Sequence, residues 1–258
     1  LDNLKLHDHT DADTRYEQTL SSMMQNGEQF EMLEYEDTWI PVKYPWHALS
    51  AGEYYLGTLK RKIIAKNAVI HKTAIIEGQV VIEEGVRVME YAKIVGPAYI
   101  GKNALVGNHT LIRETLIGEN TVVGFGSEIT RSYIGSNCWF HTNYIGDSVV
   151  SDNVGVGAGA VFANLRLDEN EIQSAIKEDR LGTGRVKLGA IVGEGARIGI
   201  ESQLMPGVKV GRNSVVGPGV ILVNDLPDNK KCLNQQSLVI IDNQDSSTKD
   251  RSKFRSKL

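Results

Sequence analysis

The stretch IIAKNAVIHKTAIIEGQVVIEEGV, residues 63–86, divides into consecutive blocks of six. The second place of each block is Ile or Val, and the last is Ala or Val. The period runs on through RVMEYA, KIVGPA, YIGKNA and LVGNHT, is shortened at LIRET, and resumes with LIGENT and VVGFGS. It shortens again at EITRS, continues as YIGSNC and WFHTNY, breaks at IGDS, and resumes with VVSDNV, GVGAGA and VFAN. An insertion over 165–187 follows, and the pattern returns as IVGEGA, RIGIES, QLMPGV, KVGRNS and VVGPGV. Neither the helical period of 3.6 nor simple alternation accounts for it. A six-residue period reads as a triangular solenoid. Each block makes a short flat strand and a corner, and the aliphatic points inward onto its equivalent in the next coil. Gly or Asn takes the left-handed turns. One coil cannot bury its own core, so stacking is obligatory.

This signature resembles the hexapeptide-repeat proteins, and the resemblance implies a left-handed parallel β-helix. General crossover rules alone favour the opposite hand. The expected organisation is mainly β: a small N-terminal α/β cap over 1–60, the β-helix over 61–227, and a terminal strand with a disordered basic tail over 228–258. Within the cap, 12–27 reads as an amphipathic helix with Tyr16, Leu20, Met23 and Met24 on one face. QFEMLEYED and TWIPVKY alternate like a strand pair turning near Glu36–Asp37. Pro45 opens a second helix that packs through Trp46, Leu49 and Leu56. SLVII, 237–241, reads as a last strand. The tail beyond it has few core formers and reads as solvated chain, with contact to an anionic surface as the other reading.

Composition narrows the function. The 258 residues carry a formal charge of −4, which points to no nucleic-acid partner. Glycine is frequent, at 26, and aromatics are scarce, at 7%, as suits tight turns around small aliphatics. Two cysteines far apart, Cys138 and Cys232, make no disulfide framework and fit a reducing, cytoplasmic setting. No apolar run approaches a membrane span. The charged start LDNLKLHDHTDAD does not read as a signal peptide. Because the chain begins with Leu, a fragment, a processed product or a trimmed chain is expected.

Polar chemistry gathers around the break in the repeat. His141, Tyr144 and Asn164 stand in a region otherwise given to packing, and Asn164 ends the last regular block before the insertion. A long insertion in a solenoid projects from one edge and tends to carry function. Arg113 follows an inward Ile112 and should point outward. Each residue also has a plainer reading. His141 and Arg113 could be surface residues, Tyr144 could cap a coil edge, and Asn164 could be a corner asparagine. Trp139 and Phe140 read as packing residues. His71 and His109 read as isolated and lack metal-site spacing.

HTNYIGDSVVSDNVGVGAGAVFANLRLD resembles the acetyltransferase half of the bifunctional glucosamine-1-phosphate N-acetyltransferase/N-acetylglucosamine-1-phosphate uridylyltransferases. It is most similar to the archaeal-type sugar-1-phosphate nucleotidylyltransferases with a β-helical C-terminal half. RYEQTLSSMMQNGEQFEMLEYEDTWIPVKYPWHAL resembles the end of their nucleotidylyltransferase domain and its linker helix. The resemblance implies that His141 is a general base, since an amine must lose a proton to attack the acetyl-CoA thioester. It implies that Arg113, with Arg131 nearby, holds a sugar phosphate, and that Tyr144 and Asn164 orient the sugar and its amine. Coenzyme A is implied near Ala158 and Gly217, an amino-sugar 1-phosphate as acceptor, and a homotrimer or a multiple of it, with no metal in the acyl transfer.

The chain departs from that family's pattern in places. Thr130, Asn170 and Gln173 stand where relatives carry lysines, and Gly155 stands where bacterial members carry asparagine. No Gly-rich phosphate loop precedes residue 60, and Pro41 replaces the metal-binding aspartate, so no nucleotidylyltransferase activity is expected of this chain. Two alternatives follow: a non-catalytic oligomerising β-helix, or the C-terminal portion of an active nucleotidylyltransferase.

Overall fold

The computed structural model describes residues 14–244. It divides into two units, Leu1–Trp39 and Ile40–Leu258. The first holds helix α1, Arg15–Gln25, followed by extended chain. On α1, Leu20 and Met23 are half-buried, whereas Tyr16 and Met24 are exposed. The expected strand pair over 29–44 does not form, and Met32, Leu33 and Trp39 stand in solvent. Alternation marks a surface that could be covered, but a two-stranded ribbon with nothing to bury against is marginal on its own.

The second unit is a left-handed parallel β-helix. Its three sheets hold eight, nine and eight strands, and every neighbouring pair within them is parallel and one coil apart. They form three faces, taken in chain order from Ile63–Ile64, Val69–Ile70 and Ile75–Glu77. From Ile82 to Leu222 the second place of the blocks points inward as expected, whereas Ile64 in the first coil is exposed. Ile82, Ile94, Ile100, Ile112, Ile117, Ile129, Ile134 and Ile145 are fully buried, with Phe140 and Phe162. Burying each such side chain is worth about 1.5–3 kcal/mol.

Two of the edges between faces are built differently. Between the first and second faces, Asn103, Asn120 and Asn137 sit at φ 56, 54 and 57. Their amides bond coil to coil, Asn103 to Asn120 at 3.2 Å and Asn120 to Asn137 at 3.3 Å. Asparagine tolerates the left-handed region better than most residues. Between the third and first faces the coils are tighter. The inward residues Ile94 and Ile100 of consecutive faces are six apart there, but Ile112 and Ile117, Ile129 and Ile134, and Ile145 and Val150 are only five apart. The tight corners put Glu114, Arg131 and Asp147 at φ 52, 47 and 47. Charged residues seldom adopt that conformation, and such strain collects at functional positions.

The first face is covered. Helix α2, His47–Gly57, lies across it, with Tyr55 edge-on to Tyr99 and Gly52 close beneath Leu116. Trp46 and Leu49 are buried in one cluster with Val149, Ile191 and the insertion residues Ile172 and Leu188. Leu56 is buried as well. The insertion forms an antiparallel hairpin, Gln173–Ile176 with Asp179–Gly182. Rather than simply projecting, it folds back. Arg185 bonds Glu53 through Nη1 at 2.9 Å and Nη2 at 3.1 Å, and Ser50 at 2.9 Å. Gly189 returns the chain beneath the previous coil, where a Cβ would lie 2.2 Å from the Gly146 carbonyl. The last sheet strand is Lys231–Cys232. SLVII pairs with nothing among the described residues, and Leu238–Ile241 are exposed. The basic tail from residue 245 lies outside the described residues.

Candidate functional site

The second and third faces meet along the edge that carries His141. Val123 pairs with Phe140 and Glu128 with Tyr144, so this corner is one residue shorter than the one above it. Asn143 fills the gap. It is buried, and its Nδ2 donates to the carbonyls of Gly157 at 2.8 Å and Ala160 at 3.1 Å in the next coil. Its Oδ1 is buried without a partner. The shortened corner turns His141 outward, where its exposed ring makes no hydrogen bond among the described residues. The backbone carbonyl of His141 accepts from Ser127 Oγ, which fixes the main chain beneath the ring.

Ala158 and Gly217 fall on the same edge. The Gly159 amide donates to Thr142, the Glu201 amide to Ala158, and the Gly219 amide to Ile200, each at 2.9 Å. The backbone thus steps from His141 past Ala158 to Gly217. In the other direction the edge carries stacked rings. Tyr91 lies on His109 at 5.0 Å, and His109 meets Phe125 edge-on at 5.7 Å. His109 is therefore not isolated, and neither is His71, whose Nδ1 lies 2.8 Å from Thr73 Oγ1. Trp139 differs from expectation too: Phe140 is core, but Trp139 is 58% exposed on the second face.

The opposite border of the third face is the tight edge, and it gathers the remaining candidates. Arg113, Thr130 and Gly146 are register partners in successive coils. Arg131 is held by Asp147 in a forked pair, Nε to Oδ1 at 2.7 Å and Nη2 to Oδ2 at 2.8 Å. Its Nη1 donates to the buried Thr130 hydroxyl at 3.1 Å. The hydrogen bonds to Asp147, with its charge, raise the Arg131 pKa above its ordinary value. Asp147 is 3% exposed and also accepts from Asn164 Nδ2. Asn164 Oδ1 in turn faces the Tyr144 hydroxyl at 3.3 Å. Arg113 donates from Nη2 to Glu128 at 3.0 Å, while its Nε is buried without a partner. On the first-face side, Arg131 and Glu114 line a crevice against Leu49 and Gly52 of about 10 Å³, room for a water and no more.

The structure therefore brings Tyr144, Asn164 and Arg131 together, through Asp147, and places Arg113 along the same edge. It sets His141, Ala158 and Gly217 on the other edge, across the strand Tyr144–Gly146, roughly 10 Å long at the usual rise. Asn170 and Gln173 are exposed on the insertion, and the main chain of Gln173 lies against Gly207 at the corner between the third and first faces. Asp147 and Gly146 escape sequence reasoning. Their one signal is the break of period at IGDS. Among the described residues no group of three or more His, Cys, Asp or Glu could hold a metal ion, and no helix is long and apolar enough to cross a membrane.

The family model for the bacterial transferase hexapeptide (six repeats) matches residues 79–114 and 189–224. The chain is 35% identical over 212 residues to the bifunctional protein GlmU of Methanococcus vannielii, a match covering 81% of this chain and 50% of the relative. It is 35% identical to that of Methanococcus maripaludis strain S2, covering 86% and 53%. Over 86 residues it is 43% identical to the bifunctional sugar-1-phosphate nucleotidylyltransferase/acetyltransferase of Sulfurisphaera tokodaii, covering 33% and 21%. The chain spans about half the length of the two relatives that it matches over most of its own length. Among solved structures it is similar to LpxA of Acinetobacter baumannii, with 16% identity and TM-score 0.39, covering 67% of this chain and 72% of that one. It is also similar to PerB of Caulobacter crescentus in complex with CoA and GDP-perosamine, with 19% identity and TM-score 0.24, covering 66% and 53%.

Proposed function

The chain carries a hexapeptide-transferase repeat domain homologous to the C-terminal half of the bifunctional sugar-1-phosphate nucleotidylyltransferase/acetyltransferases, and we propose that it transfers acetyl from acetyl-CoA to the amine of an amino-sugar 1-phosphate. The observation that carries this reading is the division of labour across the third face. One edge holds an exposed, unbonded imidazole in line with Ala158 and Gly217, and the other holds Tyr144, Asn164 and Arg113.

The roles follow from the chemistry. His141 takes the proton that the ammonium must lose before its lone pair is available. The nitrogen then attacks the thioester carbonyl carbon. The C–N bond forms, the C–S bond breaks, and the departing thiolate takes the second proton shed by the nitrogen and leaves as coenzyme A. Ala158 and Gly217 offer a small-residue edge along which the pantetheine arm lies. Tyr144 and Asn164 hold the acceptor, and Arg113, whose half-exposed guanidinium is bonded to Glu128 through Nη2, takes the phosphate. Arg131, already forked onto Asp147, supports the edge rather than the phosphate. A homotrimer supplies the wall that a single open face lacks. A cytoplasmic location fits a chain that draws on acetyl-CoA.

One observation favours the second reading, a non-catalytic oligomerising β-helix. The lysines of relatives are replaced by Thr130, which is buried, and by the uncharged Asn170 and Gln173. Thiol release from acetyl-CoA with glucosamine 1-phosphate and galactosamine 1-phosphate separates the two. Turnover that falls at least about 100-fold in His141→Ala supports the enzyme. No release with either sugar, from folded and oligomeric protein, supports the module.

A further inference from the structure

We infer that Asp147 is the positioning residue that sets the polarity of the acceptor site, an inference that rests on the acetyl-transfer reading. The argument begins with what a carboxylate can do. Paired with a guanidinium it only accepts hydrogen bonds, so the Asn164 atom turned toward it must be the amide nitrogen. Asp147 Oδ2 receives that nitrogen, and both carboxylate oxygens are fixed from the other side by Arg131 Nε and Nη2. The carboxylate is 3% exposed and cannot turn away to water. With Nδ2 pinned, Asn164 Oδ1 must face Tyr144, and the phenol must donate to it.

The order Arg131, Asp147, Asn164, Tyr144 then runs in one direction. The lone pairs left at its open end are those of the Tyr144 hydroxyl and the second one on Asn164 Oδ1. Both accept. The 3.3 Å between them is long for a hydroxyl bond, so an incoming donor competes with it readily. The group presented here is thus an ammonium or a hydroxyl rather than a phosphate. Arg131 commits its fork to Asp147 and does not itself reach the ligand.

The test is steady-state kinetics on the full chain with acetyl-CoA and glucosamine 1-phosphate, comparing Asp147→Asn with the charge-neutral pair Arg131→Gln/Asp147→Asn. An asparagine at 147 can donate as well as accept, and the Asn164 amide loses its fixed sense. The expected result is an acceptor KM raised tenfold or more in Asp147→Asn, with the KM for acetyl-CoA within twofold of the unmodified chain. The neutral pair restores the melting temperature and leaves the acceptor KM high. If Asp147 serves only charge balance, the neutral pair restores the acceptor KM too, and the inference is overturned. An unchanged acceptor KM in a folded Asp147→Asn overturns it as well. Should Asp147→Asn fail to fold, the neutral pair is compared with the unmodified chain alone. If the unmodified chain turns over no amino sugar, the acetyl-transfer reading fails, and calorimetry with glucosamine 1-phosphate decides separately. Binding that weakens in the Asp147 variants keeps the positioning role, and equal binding or none removes it.

Discussion

Gly146 and Asn164 meet across consecutive coils: a Cβ on Gly146 would lie 2.5 Å from the Asn164 amide nitrogen and 2.8 Å from the Tyr144 hydroxyl. The only room for the Tyr144–Asn164 pair is the room that a missing side chain leaves. Gly146 lies outside the left-handed region, so alanine is conformationally acceptable there. The cost falls on two side-chain ends, which can swing away, and not on the core. Gly146→Ala is expected to keep its melting temperature within a few degrees and to lose at least tenfold in kcat/KM for the acceptor sugar. Titration with coenzyme A should stay unchanged. A variant that melts normally and retains full acceptor turnover would show that the pair is not used.

The contrast between Ile129 and Asp147 shows what the sequence displays and what it hides. Ile129 is the second-place aliphatic of the shortened block EITRS, and its inward direction follows from the repeat alone. The same holds for Asn120 and Asn137, whose left-handed corners are marked by residue type. Asp147 is one acidic residue among many. Its partner Arg131 lies sixteen positions upstream, and their meeting depends on tight coils whose length is clear only once the register Glu128 to Tyr144 is known. Tyr144, Asn164 and His141 were legible as polar residues at a break. Their separation onto two edges was not, because corners can be assigned only after each short block is placed. The failed strands at 29–44 and 237–241 share one cause: an alternating or apolar run reports a surface that could be covered and says nothing of a partner sheet.

Asn120 tests the corner ladder. It accepts from Asn103 and donates to Asn137, at φ 54. A residue with a Cβ and no local polar group costs about 1–2 kcal/mol in that conformation. Asn120→Ala is therefore expected to lose more stability than Asn120→Gly, by roughly 1 kcal/mol, although glycine removes more atoms. Urea unfolding followed by circular dichroism gives the order. The reverse order would mean that the amide ladder, and not the backbone conformation, selects asparagine here.

Cys138 makes an alkaline prediction. Burial pushes its thiol up to about 11 from an ordinary 9.0, and its Sγ points at the carbonyls of Ser136 and Ser151. A raised folded pKa means that this stability is whole below pH 9 and is lost as the pH rises toward 11, where the unfolded thiol ionises and the folded one resists. The loss by pH 11 is on the order of 2 kcal/mol. Cys138→Ala should flatten the fall in the urea midpoint between pH 8 and 10.5. An equally steep fall in the variant would place the titrating group elsewhere; Tyr99, raised to about 12 chiefly by burial, is the next to examine. The folded thiol should also react slowly with iodoacetamide at pH 8.

Arg185 fastens the insertion to helix α2. Its guanidinium forks onto Glu53 and reaches Ser50, while Ile172 behind it is buried with Trp46 and Leu188. The pair is partly exposed on the Glu53 side, so removing it should lower global stability by no more than about 1 kcal/mol. Its larger effect is local. The hairpin turn at Lys177 and Arg180 is exposed, and cleavage there depends on how often the insertion lifts from the first face. Arg185→Ala is expected to speed tryptic cutting after Lys177 or Arg180 severalfold while the urea midpoint of the β-helix barely moves. The Ile172→Ala variant should do the same more strongly, because it opens the apolar contact beneath the ion pair. Equal cleavage rates in all three proteins would mean that the hairpin is held by its remaining contacts, such as Lys209 Nζ to Ser174 Oγ at 3.0 Å, and not by Arg185 or Ile172.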